Sequence, residues 1–234
     1  RVGLKADDVT DFMLWGLPIS IIGARLYYVL FDLPQYIADP IQIFNIRSGG
    51  LAIYGGLIAG AITLYFFTKY HFISLWTFLD IAAPSVLLAQ AIGRWGNFMN
   101  HEAYGPDTTR SFLESLHLPQ FIIDNMYIEG IYRQPTFLYE SLWSLIGFIL
   151  LLVLRKKPHL LKKGEVLLCY LMWYSFGRFF IEGLRTDSLY FLGVIRISQL
   201  LSAVLLVGTL ILFIWRRKKG NLPDYDRSLG KNQQ

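Results

Sequence analysis

Residues 75–98 read LWTFLDIAAPSVLLAQAIGRWGNF. The stretch is long and apolar enough to cross a bilayer, which takes about 20 mostly apolar residues. Yet Arg94 lies inside it. A cation near hydrocarbon costs about 3 kcal/mol or more, so its presence marks a functional site by default. Residues 165–183, EVLLCYLMWYSFGRFFIEG, repeat the anomaly with Arg178. Two such cations on one side of a membrane ask for an anion. The abundant anion of a bilayer is a phospholipid head group.

Composition agrees with a membrane setting. The chain has 234 residues, 54% hydrophobic and 17% charged, and a mean hydropathy of +0.41. That excludes an ordinary soluble domain and predicts an all-α, polytopic transmembrane helix bundle. The net charge of +5 does not point to nucleic acid, because the basic residues cluster in short loops between apolar runs. The single cysteine, Cys169, sits mid-span and reads as a packing residue, not a nucleophile. No metal-ligand cluster and no cofactor motif is expected.

Six spans are predicted, at roughly 11–31, 49–68, 75–98, 135–154, 165–183 and 197–215. One set of loops holds twelve Lys and Arg, from Arg1 and Lys5 to Lys218 and Lys219, and the other holds five Arg and no Lys. The first set is therefore expected on the cytoplasmic side, together with both ends of the sequence. The loop at about 99–134 is expected outside, as a small cap with short helices. The domain reading is a transmembrane catalytic part over 1–219 and a polar cytoplasmic tail over 220–234. The tail composition predicts disorder. Gly56 and Gly60 form a GxxxG pair that reads as close helix packing. The chain begins at Arg1 and shows no signal-peptide pattern.

Set against this topology, the polar residues gather at the outer ends of spans two to five. Gln90, Arg94 and Asn97 share a helix face, as do Tyr174, Arg178, Glu182 and Arg185. For Arg178 two readings stand: a ligand for an anion, or an internal ion pair with Glu182. No acid lies three or four residues from Arg94 within its span, although Glu102 could fold back to it. Gly93 and Gly96 flank Arg94, and Asn97 and Asn100 offer amides to a head group. Arginine suits a phosphodiester because its planar fork donates two hydrogen bonds and stays charged. Arg25 is a third intramembrane arginine. It either touches the same ligand or is satisfied within its own region. Asp80, near the inner end of its span, reads as structural.

The run GRWGNFMNHEAYG (93–105) resembles the signature of bacterial prolipoprotein diacylglyceryl transferases, a match carried by Gly93, Arg94, Gly96, Asn97, Phe98, Asn100, Glu102 and Gly105. A later tyrosine-x3-arginine-x3-glutamate pattern of that family is met by Tyr174, Arg178 and Glu182. GARLYYVLF, GGLAIYGGLIAG and PTFLYE are similar to its other segments, in order. The resemblance covers about residues 7–219. It implies seven spans, so that a first span is expected to precede this sequence. It also implies transfer of the diacylglyceryl group of phosphatidylglycerol to the lipobox cysteine thiol of a prolipoprotein. That reaction makes a thioether, releases glycerol 1-phosphate, and takes place at the outer face of the bacterial cytoplasmic membrane. Arg94, Arg178, Tyr54 and Glu102 are then the expected catalytic residues. Arg94, Asn97, Arg178, Arg25, Asn100, Gly105, Tyr174 and Glu182 are expected to bind phosphatidylglycerol.

One departure matters. The family's proposed base is a histidine, and Tyr54 stands in its place; Gln134 replaces a second histidine. A phenol with an ordinary pKa of about 10 is a poor base at neutral pH. Tyr54 orienting the thiol, Glu102 or His101 taking its proton, and arginines acidifying it unaided all remain open. The competing class is a transporter or channel for an anionic solute, which also uses intramembrane arginines. Such a protein should carry polar residues through to the inner face, and here the inner halves are almost wholly apolar.

Overall fold

A computed structural model describes residues 4–46, 49–185, 190–191, 195–220 and 222–225. Among them, all six predicted spans are helices: α1 (Ala6–Phe31), α3 (Ile53–Tyr70), α4 (Leu75–Met99), α7 (Thr136–Leu154), α8 (Glu165–Glu182) and α9 (Ile197–Lys218). The protein is a helical membrane protein. Helices α1, α4, α7 and α9 are long and apolar enough to cross a bilayer by length and composition. Helix α8 is as long as α3, at 18 residues, but carries Glu165, Arg178 and Glu182. The chain divides into two compact units, one running to Phe78 and one starting at Leu79.

In the first unit α1 packs antiparallel to α3, with short α2 (Leu33–Ala38) and a 3-10 turn (Pro40–Phe44) between them. Small residues set the approach. A Cβ on Gly23 would lie 2.8 Å from Gly55 O, and one on Gly60 would lie 2.8 Å from Ser20 Oγ. The GxxxG reading therefore holds, with Gly23 and Gly55 extending the contact. Phe12 closes the far end, edge-on to Phe67 and Phe78 at 5.6 and 5.1 Å.

In the second unit, residues 100–135, the segment read as a cap over about 99–134, link α4 to α7. This segment holds helices α5 (Arg110–Ser115) and α6 (Gln120–Asn125), and also an antiparallel sheet that the composition did not announce. Its strands are β1 (Asp107–Thr108), β2 (Tyr127–Ile128) and β3 (Ile131–Arg133), in order β1-β3-β2. Phe98 of α4 and Phe137 of α7 enter the cap core with Leu113, Ile122, Ile123 and Met126. The cap is thereby seated on the ends of two helices.

Helices α7 and α8 are locked by a reciprocal clasp. Trp143 and Trp173 stack at 4.2 Å. Each indole N–H donates to the other tryptophan's backbone carbonyl, both at 3.0 Å. Gly147 and Gly177 make room, since a Cβ at either would overlap the opposing indole. At the other end of α8, fully buried Asp80 accepts the N–H groups of Gly164 and Leu167 at 2.5 and 2.9 Å. It thus satisfies helix-start donors that lack partners within the helix, which is the structural role expected of it.

The tail reading needs correction at residues 222–225. Tyr225 is buried, and its N–H donates to Leu161 O at 2.8 Å. Lys163 N donates to Pro223 O at 3.0 Å, and Asp224 pairs with His159 at 2.8 Å. One buried aromatic and a short backbone pairing outweigh the polar composition of the segment. Two short strands, β4 (Tyr190–Phe191) and β5 (Ile195–Arg196), precede α9. The rest of the predicted tail, 226–234, lies outside the described residues.

Candidate functional site

Arg94 and Arg178 meet, and they meet on a residue that the sequence reading did not single out. Glu140, in the second turn of α7, forms an ion pair with Arg94 (Nε to Oε2, 2.6 Å) and accepts a hydrogen bond from Arg178 Nη1 on Oε1 at 3.1 Å. Its position is fixed from both sides. Next to it, Ser141 Oγ donates to Ala91 O on α4 at 2.9 Å. One turn along α7, the tryptophan clasp sets the register against α8. Gly177, beneath the Trp143 indole, immediately precedes Arg178.

Arg178 also pairs with Glu182 one turn ahead, Nη2 to Oε2 at 2.6 Å. The internal ion pair allowed by the spacing is therefore real. Arg94 and Arg178 are thus paired with Glu140 and Glu182, and Arg196 Nη1 donates to the Glu182 backbone carbonyl beside them. Pairing of this kind is how poorly solvated charge is tolerated. The anion that the arginines demand is supplied first by the protein itself.

The cations are not exhausted. Arg94 pairs through Nε with Glu140 and donates Nη1 to Asn97 Oδ1 at 3.2 Å. Arg178 uses Nη1 and Nη2. Arg94 Nη2 and Arg178 Nε have no protein acceptor among the described residues. Both side chains keep some exposure, 23% and 17%. The cavity lined by Gln90, Arg94, Glu140, Trp143, Tyr174 and Arg178 encloses only ≈ 10 Å³, room for about one water.

A polar chain leads away from Arg94. Asn97 Nδ2 donates to Glu102 Oε1 at 2.9 Å, and Asn100 Nδ2 reaches the same oxygen at 3.4 Å. Glu102 thus reaches Arg94 through Asn97, and it is exposed. One turn back along α4, Gln90 Nε2 donates to Tyr170 OH at 3.1 Å. Tyr170 stacks on Tyr174 at 6.1 Å. Of the expected residues, Arg94, Asn97, Asn100, Glu102, Tyr174, Arg178 and Glu182 gather here.

Gly105 is close-packed instead of open to a ligand. Its N–H donates to Gln134 O at 3.0 Å, and a Cβ there would lie 2.8 Å from Gln134 Cβ and 2.9 Å from Thr136 Cγ2.

Arg25 and Tyr54 belong to the first unit. Arg25 is 6% exposed. It donates to four backbone carbonyls: Ile43 O at 2.9 Å, Gly49 O at 3.0 Å, Gly50 O at 2.8 Å, and Gln42 O. Its guanidinium also lies over the Tyr36 ring at 5.1 Å. Of the two readings for Arg25, the structure supports satisfaction within its own region. Tyr54, on the first turn of α3, is half exposed.

Glu140 had a signal in the sequence. It is the one charged residue of α7, and an acid within a span is as anomalous as an arginine. Its link to Arg94 crosses from one helix to another, which spacing along a single helix does not contain.

The sequence matches the family model described as prolipoprotein diacylglyceryl transferase over residues 1–215. It is 68% identical over 233 residues to the phosphatidylglycerol–prolipoprotein diacylglyceryl transferase of Enterococcus faecalis, covering 100% of this chain and 84% of that one. The protein of the same name from Streptococcus suis is 58% identical over 226 residues, 96% of this chain and 82% of the relative. That of Limosilactobacillus reuteri is 55% identical over 232 residues, 99% and 84% respectively. With a family match across nearly its whole length, this chain belongs to the prolipoprotein diacylglyceryl transferases.

Proposed function

We propose that the protein moves the diacylglyceryl group of phosphatidylglycerol onto the lipobox cysteine of a prolipoprotein signal peptide, at the outer face of the bacterial cytoplasmic membrane. The names of its relatives supply the two substrates. Because those relatives are transferases, they favour this reading over transport. One observation carries the site assignment: two arginines from different helices share a single carboxylate while each keeps a donor without a protein acceptor.

In this reading the phosphate of the lipid lies against Arg94 and Arg178. The thiolate of the visiting cysteine attacks the diacylglycerol carbon that bears the phosphate ester oxygen. A carbon–sulfur bond forms, the carbon–oxygen bond breaks, and its electron pair leaves on glycerol 1-phosphate. The arginines hold the charge that builds on the departing phosphate, and they are already in place, so little reorganisation opposes the step. The nucleophile belongs to the substrate. A free thiol has an ordinary pKa of about 8.5 and must lose its proton. Glu102 is the acceptor we favour, because it is exposed to an incoming peptide and tied through Asn97 to Arg94. Asn97, Asn100 and Tyr174 shape the head-group site, while Glu182 holds Arg178 in its rotamer. Arg25 and Gly105 act on backbone structure, not on the lipid.

The orientation rests on the loop charges, which set the C-terminus in the cytoplasm and the cap outside. The membrane part spans 1–219 in this reading, and 220–234 forms a cytoplasmic tail. Reconstitution with phosphatidylglycerol vesicles and a lipobox peptide tests the function. The peptide should gain the mass of a diacylglyceryl group. A folded, reconstituted protein that leaves the peptide unmodified would overturn the proposal.

A further inference from the structure

We infer that Glu140 is an exchangeable counter-anion: the lipid phosphate displaces it on entry, and its return expels glycerol 1-phosphate. The inference rests on the transfer reaction proposed above.

Three observations carry it. The first is space. The gap between the arginines has free space of ≈ 10 Å³, room for about one water, so a phosphate that is to bridge both guanidiniums must take the place of the Glu140 carboxylate. The second is charge. Glu140 is the carboxylate that Arg94 and Arg178 share, and among the described residues it is the one acid paired with Arg94. An empty site without Glu140 would leave Arg94, a half-buried cation, without a carboxylate partner, which is costly. The third is anchorage. Among the described residues, the Glu140 carboxylate bonds only to Arg94 and Arg178. It is 7% exposed and sits on a flexible side chain, so nothing else holds it when a competing anion arrives. Glu182 is less suited to exchange, because it is more deeply buried and paired along its own helix.

The chemistry gives the exchange a purpose. The substrate is a phosphodiester with one negative charge. Its product is a monoester, which carries about 1.5 to 2 negative charges near neutral pH. Two arginines therefore grip the product harder than the substrate. Without a competing carboxylate, each turnover would leave the site blocked. Glu140 competes at very high local concentration, because it is tethered to the same bundle.

The test compares wild type with Glu140→Gln, full chain, in phosphatidylglycerol vesicles with a lipobox peptide and added glycerol 1-phosphate. The inhibition constant of glycerol 1-phosphate should fall at least tenfold in Glu140→Gln. The first turnover should be slowed less than steady-state turnover. Glycerol 1-phosphate should also raise the unfolding temperature of the variant more than that of wild type. Equal inhibition constants, or weaker inhibition in the variant, would overturn the inference. If Glu140→Gln does not fold, Glu140→Asp carries the test: its shorter carboxylate reaches one guanidinium less well, and inhibition should tighten at least threefold. A wild-type protein that modifies no peptide sinks the transfer reading instead, so the two failures are distinguishable.

Discussion

Arg25 and the pair Arg94–Arg178 look alike in the sequence, as arginines inside apolar segments. Their satisfaction differs in kind. Arg25 gives its donors to backbone carbonyls between Gln42 and Gly50. Those acceptors are neutral and fixed to the chain, so a lipid could take Arg25 only by undoing that loop. Arg94 and Arg178 give theirs largely to carboxylates at the tips of side chains. Such partners can swing away, and the incoming phosphate replaces charge with charge. An intramembrane arginine is therefore not a site in itself. What satisfies it decides whether it is a staple or a receptor.

The sharpest way to break this contrast is Arg94→Ala. Transfer to a lipobox peptide should fall by about 100- to 1,000-fold or more, the range seen when a preorganised charge-stabilising donor is removed. Arg94→Lys should recover little of it, because an ammonium lacks the planar fork. A wild-type rate in Arg94→Ala would erase the distinction. Arg178→Ala should behave alike, measured in the same assay.

A second test reaches the pair through its scaffold. Gly177→Ala drives a methyl group into the Trp143 indole and should cost about 1–3 kcal/mol of stability. Because Arg178 is the next residue, transfer should fall by about tenfold, the effect of a change of about 1.4 kcal/mol in the barrier. Thermal unfolding and initial rates together check this. A large stability loss with an unchanged rate would show that the clasp does not aim Arg178.

Arg25→Ala should divide the other way. Removing the staple should destabilise the protein by about 2–3 kcal/mol, the worth of charged hydrogen bonds and the buried acceptors they leave behind. The KM for phosphatidylglycerol should stay near that of wild type. A rise in KM to match that of Arg94→Ala would move Arg25 into the receptor class. The smallest change is expected from Tyr54→Phe, which keeps its ring and should keep measurable activity. Complete loss in a folded protein that still binds lipid would assign Tyr54 to proton transfer.

Much of this molecule is legible without coordinates. Helix bounds fall close to those expected from apolar run length, since a bilayer admits few other ways of satisfying a backbone. The pairs Arg94–Asn97 and Arg178–Glu182 follow from three- and four-residue spacing, and both are present. Glu140 was hidden because its partners sit 46 and 38 residues away along the chain. The cap sheet was hidden because strands of two or three residues leave almost no periodicity to read. The docking of Tyr225 was hidden because one buried ring in a polar segment does not alter its composition.

By itself, the sequence determined where the helices run, which residues share a face along each, and which family's signature they carry. These properties are local, and they follow from hydropathy and helical pitch. Only the tertiary structure decided that two arginines on different helices share one carboxylate while a third arginine is consumed by a loop. Pairing between helices depends on packing register. That register is set here by indoles, glycines and a serine from separate elements, which no single helix repeat encodes.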